Sequence, residues 1–497
     1  MSSFSHLLTK GNHVVYNNLY DVLCKIIIKR NRARQVGDTM HLQKKEMDML
    51  SGPLAGKILM YTLPLALSGI LQLCFNAADM IVVGRYASGE SLAAVGSTGA
   101  LINLIINVFM GLSVGVSVCV AHAWGAKNHE SVRRLVHTAM LTSVIAGVIV
   151  LFIGVFGCRT FLIWMGTPDN VIDLSTTYMR IYFLGMPACM VYNFGASILR
   201  SIGDTKRPLL FLVIAGIVNV LLNLLTVIGF RMGVAGVAIA TAASQVVSAA
   251  LVVIFLMKRQ DACRLVLSQL HIYPDKLLAI VRVGLPAGLQ GAVFSISNVL
   301  IQSSINSFGS VAMEGNTAAS NLEGFIYNVM NAFYHTSLTF TGQNLGARKP
   351  HRIPRILLTC IALSVTISIT LSGLMYVFRE PLLALYRPGA PEAQAYGGLR
   401  MSIIVLTYFL CGIMEVFTGS LRGMGASLTP MLISLVGACV TRVIWIYTVF
   451  AAMPTLKVLY LCYPVSWLFT IFMQVAAFLI IRRNVQKRFG TPIPENG

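Results

Sequence analysis

One ten-residue stretch occurs twice in this chain and constrains its fold more than any other feature. The first copy is Leu199-Arg200-Ser201-Ile202-Gly203-Asp204-Thr205-Lys206-Arg207-Pro208. The second is Leu421-Arg422-Gly423-Met424-Gly425-Ala426-Ser427-Leu428-Thr429-Pro430, at an offset of 222 residues. Other landmarks keep the register. Leu63-Pro64 recurs as Leu285-Pro286 and Asn76 as Asn298 at 222, and Gly125-Ala126-Lys127 recurs as Gly346-Ala347-Arg348 at 221. A fixed long period marks a duplicated structural unit, here about residues 50–258 and 272–484.

Each copy ends one apolar segment and begins another. The 497 residues are 56% hydrophobic and only 11% charged, with a mean hydropathy of +0.75, whereas soluble domains carry about 25% charged residues. A helix needs about 20 apolar residues to cross the hydrocarbon, and charges punctuate the sequence at that interval. The stretches 58–78, 91–126, 135–158, 181–199, 208–230, 232–257, 283–313, 324–347, 356–378 and 458–481 hold no Asp, Glu, Lys or Arg. About 399–421 is read with the single charge Glu415, and about 429–452 with Arg442. The expectation is an all-α membrane protein of twelve transmembrane helices, in two pseudo-symmetric six-helix lobes. Six is even, so the lobes enter the membrane in the same direction, as parallel repeats.

Basic residues sit in alternate loops, which places those loops and both termini in the cytoplasm. The expected division is a basic cytoplasmic tail (1–49), an N-terminal lobe (50–258), a cytoplasmic linker (259–277), a C-terminal lobe (278–484) and a second tail (485–497). No cleavable signal peptide is visible, and Met40 and Met47 are alternative starts. Pro64 and Pro286, matched across the repeat, and the unmatched Pro187 and Pro464 are expected to bend their helices by removing a backbone bond.

The net charge of +20 sits in short loops, the pattern of membrane orientation and not of nucleic-acid binding. The ten cysteines are scattered without a Cys-x-x-Cys pair, so neither a metal site nor a disulfide framework is expected. Gly52-Pro53-Leu54-Ala55-Gly56-Lys57-Ile58 is one residue short of a phosphate loop and lacks its Ser/Thr, which disfavours ATP-driven export. No clustered nucleophile and base suggests an enzyme, and no filter motif suggests a channel.

The chain resembles the multidrug and toxic compound extrusion (MATE) family of secondary transporters over about residues 50–484. The resemblance is carried by the doubled Leu-Arg-x-x-Gly-x-x-x-x-Pro loop, by Asp79-Met80-Ile81-Val82-Val83-Gly84-Arg85, by Trp124-Gly125-Ala126 and by Gln343-Asn344-Leu345-Gly346-Ala347. It implies two lobes around a cleft that opens alternately to each side. It also implies export of amphipathic, often cationic small molecules driven by H+ or Na+, with no other cofactor, by a monomer in the cell membrane.

A carboxylate at membrane depth costs several kcal/mol unless a cation, proton or donor meets it. The resemblance makes Asp79 a coupling acid; the alternative is an acid at the outer helix end facing headgroup water. Asn219 and Asn223 share a helix face, where the family often shows Asn-x-x-x-Asp, and Asn193 would complete that cluster. Glu415 is read as a substrate or coupling acid, or else as paired with Arg442. The family's sodium-coupled branch carries acids near Cys411 and Phe294, and neither is present. Glu323 points into the cleft or caps the eighth helix. His122 and His335 are read as packing residues. Arg200, Gly203, Pro208, Arg422, Gly425 and Pro430 form the doubled loop, read as gate or scaffold, with the arginines tying helix ends and anchoring at headgroups. The rival function is a flippase for a lipid-linked precursor, which should place several Arg or Lys in the cleft, where Arg442 alone is counted.

Overall fold

The computed structural model describes residues 46–86, 89–386 and 389–489. Most of the first tail and the end of the second lie outside the described residues. The rest is helical, with no strand among the described residues.

The N-terminal half runs α1 (Leu54–Tyr86), α2 (Gly89–Gly125), α3 (His129–Trp164), α4 (Asp169–Leu184 and Met186–Ser201), α5 (Lys206–Asn223, extended by a wide π turn, Leu224–Gly229) and α6 (Gly233–Lys258). The C-terminal half runs α7 (Pro274–Asn306), α8 (Ser310–Gly346), α9 (Ile353–Val377), α10 (Pro391–Arg400 with the π turn Met401–Val405, then Tyr408–Gly423), α11 (Leu428–Ser434 through the π turn Ile446–Phe450) and α12 (Leu456–Phe489). Nine of these are single helices long and apolar enough to cross a membrane, and α4 and α10 qualify as bent pairs. The remaining one, α8, is the most polar long helix and completes twelve. Phe156, Trp164, Tyr447 and Phe472 are about three-quarters exposed, which suits helices whose outer face meets lipid.

The boundaries differ from the sequence reading at three places. The seventh span stops at Asn306, because Gly309 turns the chain at φ 91°. The eighth helix therefore begins at Ser310, not near 324, and carries Glu314 and Glu323 inside it. The tenth span, 399–421, holds Arg400 as well as Glu415, and Arg400 lies inside the helical run at 5% exposed. The sharpest breaks are a 46° bend at Gly185, beside Pro187, and a 45° bend at Leu406–Thr407, which has no proline. Pro64, Pro286 and Pro464 lie within continuous helices.

The backbone repeats as the sequence does. The two bends stand 222 residues apart, and so do the left-handed turns at Gly203 (φ 101°) and Gly425 (φ 86°). Lys127 and Arg348, at φ 54° and 56°, are 221 apart. The apolar cores divide the same way. One cluster, around Phe183, Phe194 and Met190, is drawn almost wholly from α1–α6; another, around Tyr460, Trp467 and Met330, comes from α7–α12.

The halves meet where the basic loops lie. His122 Nε2 and the Gly423 carbonyl are 2.6 Å apart, and Gln343 donates to the Ser201 carbonyl at 2.6 Å. Gly111 and Gly115 of α2 lie against Gly284 and Gly288 of α7 so closely that an added Cβ would strike backbone. Small residues of this kind let membrane helices approach. On the matching α1–α8 seam, Thr62 and Thr336 share a hydrogen bond of 2.8 Å, and Tyr61 donates to Thr339 at 3.1 Å. These contacts run from the basic end to about Gly69–Asn328 and Asn107–Gly291.

Candidate functional site

The N-terminal lobe holds one buried carboxylate on neutral partners. Asp79, on α1, is 8% exposed. Asn223 of α5 donates to its Oδ1 at 2.5 Å, and Thr241 of α6 donates to its Oδ2 at 3.3 Å. Asn223 also donates to Asn219 Oδ1 at 3.3 Å, and Asn219 donates to Thr241 at 3.4 Å. The i, i+4 spacing that puts both asparagines on one face is what brings them to Asp79. Asn223 Oδ1 is buried and has no hydrogen-bond partner, and no cationic side chain lies within 4.0 Å of Asp79 among the described residues. The site thus gathers carboxylate and amide oxygens without a charge to balance them, which is what a proton or a small hard cation seeks. Asn193 is not part of this network; its Nδ2 donates to the Cys189 carbonyl one turn earlier at 2.8 Å. Thr241 was missed because its span carries no charge and a lone Thr in an apolar helix gives no signal.

The C-terminal lobe encloses a cavity of about 510 Å³, which Asn107 of α2 also lines. Glu323 does not cap a helix. It sits inside α8, 4% exposed, and takes both Nε (2.8 Å) and Nη2 (2.7 Å) of Arg400. Arg400 Nη1 donates to Asn316 at 2.6 Å, and Asn316 donates to Gln302 at 3.1 Å. That two-point grip is the strong form of the interaction. The Glu415–Arg442 pair, the alternative reading of Glu415, is absent among the described residues. Arg442 donates from Nε to Ser466 at 3.1 Å and lies 4.4 Å over the Tyr463 ring. Glu415 lines the same cavity with no ion pair or hydrogen bond among the described residues.

Most of the doubled loop is buried, although Lys206, Gly425 and Leu428 are exposed. Arg422 is 5% exposed and donates to Tyr334 at 2.5 Å and Gln290 at 2.7 Å. The Arg200 carbonyl accepts from Tyr61 at 2.9 Å, and the Pro208 carbonyl accepts from Tyr192 at 3.0 Å. Pro430, like Pro208, occupies the first turn of the following helix, where its missing N–H costs nothing. His122 does more than pack: it joins the halves through Gly423. His335 packs edge-on to Tyr334, 4.8 Å between ring centroids. Among the described residues no group of three or more His, Cys, Asp or Glu could hold a metal, and the cysteines are free thiols.

The MatE family signature matches residues 64–225 and again 286–448, the same offset that the loops show. The chain is 28% identical to the probable multidrug resistance protein YoeA of Bacillus subtilis, over 76% of this chain and 82% of that protein. It is 26% identical to the probable multidrug resistance protein YpnP of the same organism, over 80% and 89%. A solved MOP superfamily transporter from Pyrococcus furiosus superposes with a TM-score of 0.82 at 22% identity, covering 89% of this chain and 98% of that one. With a doubled signature over most of its length and the matching twelve-helix fold, the chain belongs to the MATE family of membrane transporters.

Proposed function

We propose that the protein is a secondary antiporter that exports amphipathic compounds by alternating access, driven by H+ or Na+ moving the other way. The observation that carries this is Asp79: a buried carboxylate with only neutral donors and an orphaned amide oxygen beside it. A site so built gains from each cation it takes up, and α1, which bears it, also forms the α1–α8 seam. The names of the relatives support drug-like cargo. The contacts at the basic-loop end support a conformer closed toward the cytoplasm and open outward.

The flippase reading needs uncommitted cations in the cleft. The structure adds Arg400 to Arg442, but Glu323 already engages it, so Arg442 is the one base among the described residues lining that cavity left without a carboxylate, and the exporter reading stands ahead.

Substrate transport into liposomes, with a proton or a sodium gradient imposed separately, tests the proposal. Asp79→Asn should drop gradient-driven transport to the level of empty liposomes, while Glu415→Gln should weaken substrate handling with coupling retained. Undiminished coupled transport in Asp79→Asn overturns it.

A further inference from the structure

The C-terminal cavity holds two carboxylates and two guanidinium groups, yet only one of each is committed. Glu323 and Arg400 satisfy each other, and Asn316 takes the remaining arginine donor. Glu415 and Arg442 line the same cavity without pairing. Arg442 is 3% exposed and spends one nitrogen on Ser466. Its terminal nitrogens make no hydrogen bond among the described residues and are not sealed in protein, so they open on the cavity. The rings of Phe294, Tyr327, Tyr408 and Trp467 line the same cavity as the two charges. The volume suits a drug-sized ligand.

From this arrangement we infer that the cavity takes a zwitterion with a flat aromatic body, its amine on Glu415 and its carboxylate on Arg442. The inference rests on the reading of this cavity as the place of the exported compound. A simple cation would satisfy Glu415 and leave Arg442 buried without a counter-ion. A simple anion would do the reverse. A ligand with both charges leaves neither uncompensated, and a guanidinium fork grips a carboxylate at two points.

Binding to the full chain in detergent micelles needs no gradient, so it separates this inference from the coupling mechanism. The probes are 4-(aminomethyl)benzoic acid and its longer biphenyl homologue, 4′-(aminomethyl)biphenyl-4-carboxylic acid, each with its methyl ester (cation only) and its N-acetyl derivative (anion only). Wild type should bind at least one zwitterion about tenfold more tightly than its ester and its N-acetyl form. Arg442→Gln should erase the preference over the ester, and Glu415→Gln the preference over the N-acetyl form. Arg442→Lys keeps the charge without the fork and should retain part of the preference, which guards against a folding defect in Arg442→Gln. An ester that binds as well as its zwitterion, or no binding by any probe, overturns the inference. Coupled transport with no zwitterion preference sinks the inference alone, and zwitterion binding without coupled transport sinks the antiport reading alone.

Discussion

The two lobes share a backbone and differ in what they bury. At the 222-residue offset, Asp79, Asn219, Asn223 and Thr241 correspond to Ile301, Thr441, Trp445 and Tyr463. In return, Arg400, Glu415 and Arg442 correspond to Tyr178, Asn193 and Val220, and Glu323, at 221, to Ile102. The bends, left-handed glycines and doubled loops, with the matched Arg200 and Arg422, are kept in both halves, whereas Asp79, Glu323, Arg400, Glu415 and Arg442 have no charged counterpart. Duplication here preserved the devices that shape and couple the helices and released the interior to specialise. The N-terminal lobe keeps one carboxylate on neutral donors, and the C-terminal lobe a balanced set of four charges around a cavity.

The largest expected effect tests that contrast in stability. Glu323→Gln leaves Arg400 buried without its counter-ion, which should cost about 3–5 kcal/mol. Replacing both, as Glu323→Leu with Arg400→Met, should recover most of it, since apolar pairs of similar volume often match a buried ion pair. Asp79→Asn loses no ionic partner and should cost only about 1 kcal/mol. Thermal unfolding in detergent measures all three. A larger loss in Asp79→Asn than in Glu323→Gln would break the contrast between the lobes.

A smaller effect belongs to the N-terminal lobe. Thr241→Val removes the donor to Asp79 Oδ2 with little change in shape. The 2.5 Å bond from Asn223 remains. Gradient-driven transport should fall about tenfold or somewhat more, the weight of one hydrogen bond of about 1.5 kcal/mol to a charged group. Tyr463→Phe, at the matching position of the C-terminal lobe, should leave coupling unchanged. Equal losses in the two would mean that coupling is not confined to the first lobe.

The duplication, the twelve helices and the acids at depth were legible because charge is scarce in this chain and period is conspicuous. The i, i+4 spacing put Asn219 and Asn223 on one helix face, but their meeting with Asp79 was implied only by the family resemblance, and Asn193 lies outside the network. Arg400 was not legible as an interior residue. It stands next to the boundary of an apolar run, where a loop arginine and a buried one look alike, and only Glu323 on another helix distinguishes them. Arg422 escaped for the same reason: the side chains that bury it, Tyr334 and Gln290, lie 88 and 132 residues away. The start of α8 was set too late because a membrane helix packed against other helices on most sides can carry polar residues that the hydropathy pattern assigns to a loop.

The smallest expected effect concerns the seams, where the comparison extends to a single pair of positions. Thr62 and Thr336 on the α1–α8 seam correspond to Gly284 and Gly115 on the α2–α7 seam. Each threonine already bonds to its own helix, Thr62 to the Ile58 carbonyl at 2.7 Å and Thr336 to the Ala332 carbonyl at 2.8 Å. With one hydrogen each, the two hydroxyls cannot make all three bonds at once, so the cross-seam bond competes with an own-helix bond and Thr336→Val should cost no more than about 0.6 kcal/mol. Gly115→Thr places atoms where the Ile280 carbonyl and Gly284 backbone stand, and should cost about 1–3 kcal/mol as overpacking. It should also loosen the basic end. Spin labels on the ends of α2 and α8 beside the basic loops would report wider separations for Gly115→Thr and unchanged ones for Thr336→Val. If Thr336→Val widened them instead, the hydroxyl seam and not the glycine seam would be the one that holds the lobes together.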